Sequence, residues 1–153
     1  MYSLSYSESI EVTASPEALY SLVSNVTRTG EWSPTCTSCS WHDGGPQEGA
    51  QFTGQNEDNG RVWETVSTVV AADPEREFAW MVGKSYVRWG YMFTPIDGGT
   101  RLTESWEFRP EGISMFHEKY GADAERQIAA RTVSAHRGIP ATLQAIKRLA
   151  ESG

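Results

Sequence analysis

From Thr35 to Pro110 the chain is cut by turn clusters into six stretches of strand length, and beyond Gly112 it changes to one long helical repeat. The clusters are Gly44-Gly45-Pro46, Asp58-Asn59-Gly60, Asp73-Pro74 and Asp97-Gly98-Gly99, all chemistries that turn a chain sharply. The strands expected between them are Cys36 to His42, Ala50 to Asn56, Arg61 to Ala72, Glu77 to Gly83, Tyr86 to Thr94 and Thr100 to Phe108. Short links of this kind favour an antiparallel meander. Alternation puts Phe78, Trp80 and Val82 on one face, then Trp89, Tyr91 and Phe93, then Leu102, Trp106 and Phe108. Arg61 to Ala72 is ambiguous: Val62, Val66 and Val70 share one parity, Trp63, Val69 and Ala71 the other, and a bulge would reconcile them.

Ahead of the meander, Leu4, Tyr6, Ile10 and Val12 alternate with polar residues as a half-buried strand. Ser15-Pro16-Glu17 then opens a helix with a capping hydroxyl, a proline at the first helical position and an acid at the positive dipole end. Leu19, Leu22, Val23 and Val26 form its apolar stripe, and Thr27 to Trp32 has room for one further short helix. The stretch around His117 and Glu118 reads as irregular, with both side chains as solvated lid residues. From Asp123 to Ser152, Ile128, Thr132, His136, Ile139, Leu143, Ile146 and Ala150 recur at helical spacing, and Pro140 should kink that helix. The expected architecture is α+β: a seven-stranded antiparallel sheet covered on its apolar face by the long C-terminal helix, with two short helices after the first strand.

At 153 residues this is one domain, 1–153, large enough to hold a core without disulfides or metal. The net charge of -7 without a basic cluster argues against nucleic acid and anionic membranes. Mean hydropathy is -0.47, and no apolar run approaches a membrane span. Met1 to Glu11 lacks the basic and apolar regions of a signal peptide, so a cytoplasmic protein with reduced thiols is expected. Six Trp, six Tyr and five Phe exceed what a domain of this size needs to close a core, and point to an aromatic-lined pocket.

The chain resembles the START/Bet v 1 superfamily, and within it the polyketide cyclase/dehydrase-like branch. The residues that carry the resemblance run in order along the chain: Ser15 to Val23, Gly30 to Pro34, Gly49 to Phe52, Asp73 to Trp80, Asp97 to Thr103 and Thr142 to Glu151. It implies the helix-grip fold and a cavity between sheet and terminal helix. It leaves activity open, since the superfamily includes lipid carriers, receptors, cyclases and co-chaperones, and one fold hosts many chemistries.

Within such a cavity the expected ligand-binding residues are Trp63, Trp80, Trp89, Tyr91, Trp106 and His136. His136 and Glu104 are the acid/base candidates, because a carboxyl in an apolar cavity is costly to ionise and a histidine titrates near neutrality. Glu64 is a weaker inward candidate that a twist would turn to solvent. Cys36-Thr37-Ser38-Cys39 is a Cys-x-x-Cys, but residues three apart on a regular strand face opposite ways, and only His42 offers a third ligand. Incidental thiols, no metal site and no cofactor are therefore expected. The leading expectation is a monomer or homodimer that binds a small hydrophobic or aromatic ligand, lipid- or polyketide-like. The alternatives are a polyketide cyclase/dehydratase-type enzyme and a protein-interaction module without a ligand.

Overall fold

The structure, a computed structural model, describes residues 4–152, so the expected domain limits at 1 and 153 lie outside the described residues. Strand β1 (Ser5–Val12) leads into helix α1 (Pro16–Val23) and a 3-10 segment, Val26–Glu31. The meander follows as β2 (Cys36–Trp41), β3 (Gln51–Asp58), β4 (Arg61–Asp73), β5 (Glu77–Val82), β6 (Val87–Ile96) and β7 (Gly99–Phe108). Helix α2 (Pro110–Tyr120), a 3-10 turn and helix α3 (Ala124–Ser152) end the chain. The Ser15 hydroxyl caps α1 by accepting from the Ala18 amide at 3.1 Å, as its Ser-Pro-Glu opening requires.

Seven strands, among the described residues, form one sheet in the order β1-β7-β6-β5-β4-β3-β2. Every pairing is antiparallel, and β1 returns to the far edge to pair with β7 from Ser5↔Glu107 to Val12↔Thr100. Register stacks inward side chains into rows across the sheet. Trp80, Trp89, Trp106 and Tyr6 make one row, and Phe78, Tyr91 and Glu104 the next. The ambiguous strand β4 resolves through a bulge between Val69 and Ala71. Trp63 and Val69 face the core, while Val62 and Val66 point outward with 71% and 42% exposure.

Helix α3 lies along the concave face. Thr132, Ile139, Leu143 and Ile146 are buried as the repeat predicts, and the helix continues through Pro140. The expectation of an irregular stretch around His117 and Glu118 is overturned. Pro110 at the first helical position and Glu111 in the first turn start α2, and Gly121 at φ 54° stops it. His117 and Glu118 are exposed on this helix. Gly112 sits there because a Cβ would fall 2.3 Å from the Tyr86 carbonyl oxygen, so any side chain would push α2 off the sheet. Phe116 seats α2 on the sheet through an edge contact with Phe108 at 5.0 Å between ring centres, and packs edge-on against Tyr120 of the same helix at 5.1 Å.

Leu143 is 2% exposed and lies on the sheet-packing side of α3, outside the cavity wall. Leu143→Ala is expected to lower stability by about 2–5 kcal/mol, read from urea denaturation midpoints.

Candidate functional site

Sheet and helix do not close on each other. Between them lies a cavity of about 640 Å³, well inside the range that holds a small molecule. Its floor is the aromatic face of the sheet: Trp63, Trp80, Trp89, Tyr91 and Trp106 all line it. Its roof is the side of α3 that carries Arg131, Ser134, Ala135, Gly138 and Thr142. Large rings therefore face small residues, which is why the space stays open. Val23 of α1, with Val26 and Trp32 of the 3-10 region, walls one end, and Met115, Phe116 and Tyr120 of α2 wall another.

His136 is not among the lining residues. It lies on the flank of α3 against the sheet edge, its ring 4.3 Å from that of Tyr6 and 6.0 Å from that of Trp106. A helix face one residue over, at Ala135, takes the cavity position instead. The structure thus separates the two acid/base candidates, His136 and Glu104. Glu64 stands exposed at the rim, where its carboxylate accepts from the Gln55 amide at 2.7 Å.

Glu104 does point inward. It is 4% exposed, and its Oε1 is buried without a hydrogen-bond partner. Burial holds its pKa well above the ordinary glutamate value, against the smaller opposing effect of a hydrogen bond with Tyr91. Burial thus favours the protonated form of Glu104, which can donate as well as accept. Tyr91, directly across the ladder, is itself pushed well above the usual tyrosine value, first by burial and then by Glu104. The Trp32 side chain hydrogen-bonds the Tyr91 oxygen, so Trp32, Tyr91 and Glu104 form one buried polar chain on the cavity wall.

A second polar region sits where the β3–β4 hairpin meets α2 and α3. Arg61 donates to the Tyr120 hydroxyl at 2.6 Å and also to the Gln127 side chain. Arg131 lies over the Trp63 ring at 4.4 Å and near the Phe116 ring at 5.5 Å. Among the described residues neither arginine forms a salt bridge with a carboxylate. Burial, then the charge of Arg61, holds Arg131 below the usual arginine value. The sequence reading missed both, because it followed apolar stripes. The signal was present: Arg131 lies one turn before Ala135 on the same face of α3.

The expectation that Cys36 and Cys39 face opposite ways is also overturned. A bulge between Cys36 and Ser38 inserts one extra residue, so both thiols line the cavity, with their sulfurs 3.2 Å apart. His42 is no third ligand. It bonds Thr53 at 2.8 Å, and Thr53 lies on the outer face of β3. Among the described residues no group of three or more His, Cys, Asp or Glu could hold a metal.

These features define an open helix-grip domain with an aromatic, sparsely polar interior. The chain belongs to the family described as polyketide cyclase / dehydrase and lipid transport, whose pattern matches residues 3–151. It is 48% identical to the Polyketide_cyc-like protein Cgl2372 of Corynebacterium glutamicum, covering 97% of this chain and 91% of that one, with a TM-score of 0.71. It also resembles the di-domain ARO/CYC StfQ of the steffimycin biosynthetic pathway, at 17% identity and a TM-score of 0.68. There it covers 97% of this chain but 51% of StfQ, about half that protein's length. The fold likeness extends to Ara h 8.0201, at 14% identity and a TM-score of 0.53 over 85% of this chain and 97% of that one. No curated protein matches the sequence at a significant level. No helix among the described residues is long and apolar enough to cross a membrane.

Because Glu104 binds its proton more tightly folded than unfolded, its protonated form contributes stability fully below the unfolded value near 4.3–4.5, and that contribution is lost as pH rises toward the folded pKa. Glu104→Gln keeps the shape without the titration. The variant should gain on the parent steadily above about pH 4.5, measured as the difference in urea midpoints across a pH series. A constant difference from pH 4 to 9 would show that Glu104 does not titrate in this way.

Proposed function

We propose that this protein binds a small, flat, largely apolar molecule that carries oxygen at one point and an acidic group at another. The observation that carries this reading is the open cavity with a buried carboxyl in its wall whose Oε1 has no hydrogen-bond partner. Burying a polar atom unsatisfied costs about 1–3 kcal/mol, which a ligand carbonyl or hydroxyl on Glu104 Oε1 would recover. The rings of Trp63, Trp80, Trp89 and Trp106 supply the apolar contact. A ligand that buries on the order of 300 Å² gains about 7 kcal/mol before ordering costs. Arg61 and Arg131 would meet the acidic end, since neither has a carboxylate partner of its own and a guanidinium pairs well with one. Membership of a family described by cyclases and lipid transport is in keeping with such a ligand. A cytosolic setting would keep Cys36 and Cys39 reduced, as they stand here. An interaction module without a ligand would need no such cavity.

Native mass spectrometry after gentle purification, with tryptophan fluorescence titrations, tests this reading. Probes would be a fatty acid, a sterol, and a planar polyphenolic acid alongside its methyl ester. The planar acid is expected to bind. Arg131→Gln should weaken it about 10-fold or more while leaving the ester within about 2-fold. Ala135→Phe, placed in the roof, should abolish uptake with the circular dichroism spectrum retained. Failure of every probe to bind, or equal losses for acid and ester, would overturn the reading.

Burial's preference for protonated Glu104 also favours a second reading, an enzyme that polarises a ligand carbonyl toward enolisation or dehydration. Glu104, beside Tyr91, would then be the hydrogen-bond donor, and His136 would not take part. On a poly-β-keto substrate, Glu104→Gln should cut turnover about 100-fold or more while affinity holds within a few-fold. Unchanged turnover would leave binding alone.

A further inference from the structure

The extra residue in β2 does more than turn Cys36 and Cys39 to one side. The surroundings hold the two thiols in that arrangement. Ser33 Oγ accepts from the Cys36 amide at 2.9 Å, and the Thr37 hydroxyl donates to the Gln55 carbonyl at 3.1 Å. The Thr37 carbonyl sits so close under Gly30 that a Cβ there would lie 2.4 Å away. Across the ladder Cys39 faces Gly54, where a Cβ would stand in ordinary contact with both sulfurs, at 3.6 Å. The sulfurs are 3.2 Å apart and half-buried, and they need close in by only roughly 1.2 Å to reach a disulfide bond length.

We propose that Cys36 and Cys39 form a reversible dithiol–disulfide site in the cavity wall, oxidised by small hydroperoxides. The thiolate of Cys39 attacks the distal oxygen of the hydroperoxide. The O–O bond breaks, Cys39 becomes a sulfenic acid, and the remaining fragment takes a proton and leaves as an alcohol, or as water from hydrogen peroxide. The sulfur of Cys36 then attacks that of Cys39. The S–O bond breaks, and the hydroxide leaves with the Cys36 proton as water. The net change is one hydroperoxide and two thiols giving one disulfide, one alcohol and one water. A dithiol reductant reverses it by exchange. The hydrogen bond from Cys36 favours the Cys39 thiolate and holds Cys36 as the thiol, which matches attacking and resolving roles. The proposal is independent of what the cavity binds.

The test is intact-mass and peptide analysis of the full chain after titration with hydrogen peroxide, with dimedone present to trap sulfenic acid. The parent protein should lose two hydrogen atoms at one equivalent, show a Cys36–Cys39 linkage, take up little dimedone, and recover its mass with dithiothreitol. Cys36→Ser should accumulate the dimedone adduct on Cys39 at least 10-fold above the parent. Cys39→Ser should react more slowly. Circular dichroism would verify that both variants fold. Independent adducts on both cysteines of the parent protein, or no reaction at concentrations that oxidise a free cysteine peptide, would overturn the proposal.

Discussion

The structure depends on a size mismatch between the two layers that should have packed together. The sheet presents a row of Trp80, Trp89 and Trp106 across three strands, and above it α3 presents Ser134, Ala135 and Gly138. Large rings under large helix residues would fill the space, and small residues on both sides would let it collapse. Here the rings brace one another, Trp80 lying nearly parallel to Trp89 at 6.5 Å, so they cannot fold upward into the gap. The helix is held at its distance from elsewhere. Ile139, Leu143 and Ile146 fix it to the core, and Gly138 passes Pro34 where a Cβ would come within 3.4 Å. The openness is therefore a property of the packing around the cavity.

Against that apolar lining, the position of charge becomes informative. The floor carries one buried carboxyl, Glu104, whose protonated form burial favours, so the deep wall offers a hydrogen bond. Positive charge gathers toward the β3–β4 hairpin, in Arg61 and the half-buried Arg131, whose guanidinium groups rest on Trp63 and Tyr120, and in Lys119 over the Tyr120 ring. Rings beneath a guanidinium shelter it without neutralising it. The interior therefore changes in kind from one region to another: apolar along the Trp row, polar at Glu104, cationic at the hairpin. A ligand complementary to all three would be oriented as well as held.

Much of this could be read in the residues. Alternation located the floor, because Trp80, Trp89, Tyr91 and Trp106 share the inward parity of neighbours as apolar as Phe78, Phe93 and Leu102. Glu104 followed from the same parity, since a regular strand leaves it no other direction. The roof was harder to read. A 3.6-residue repeat does not separate adjacent positions sharply, so the apolar stripe pointed to His136 while Ala135, one position away, lines the cavity. Helix α2 was missed because Gly112 and Ser114 weaken its propensity, whereas its real support is tertiary, through Phe108 and the close approach to Tyr86.

Single inserted residues set the faces of two strands: the one in β4 was expected from its mixed parity, the one in β2 was not. A strand's two faces are assigned by counting in twos, and one bulge reverses the count for everything beyond it. In β4 the bulge near Val70 lets Val69 and Ala72 both face the core, each across from a large ring, Trp80 and Phe78. In β2 the same device brings Cys36 onto the face that Cys39 already occupies. Neither insertion leaves a glycine or proline at its own position to announce it, since Val70 and Thr37 are ordinary strand residues. What marks the β2 bulge lies elsewhere in the chain, in Gly30, whose missing side chain makes room for the Thr37 carbonyl of the bulge. Bulges of this kind are specified by the space around them, so the face a side chain takes beyond one is fixed by tertiary packing and not by local pattern.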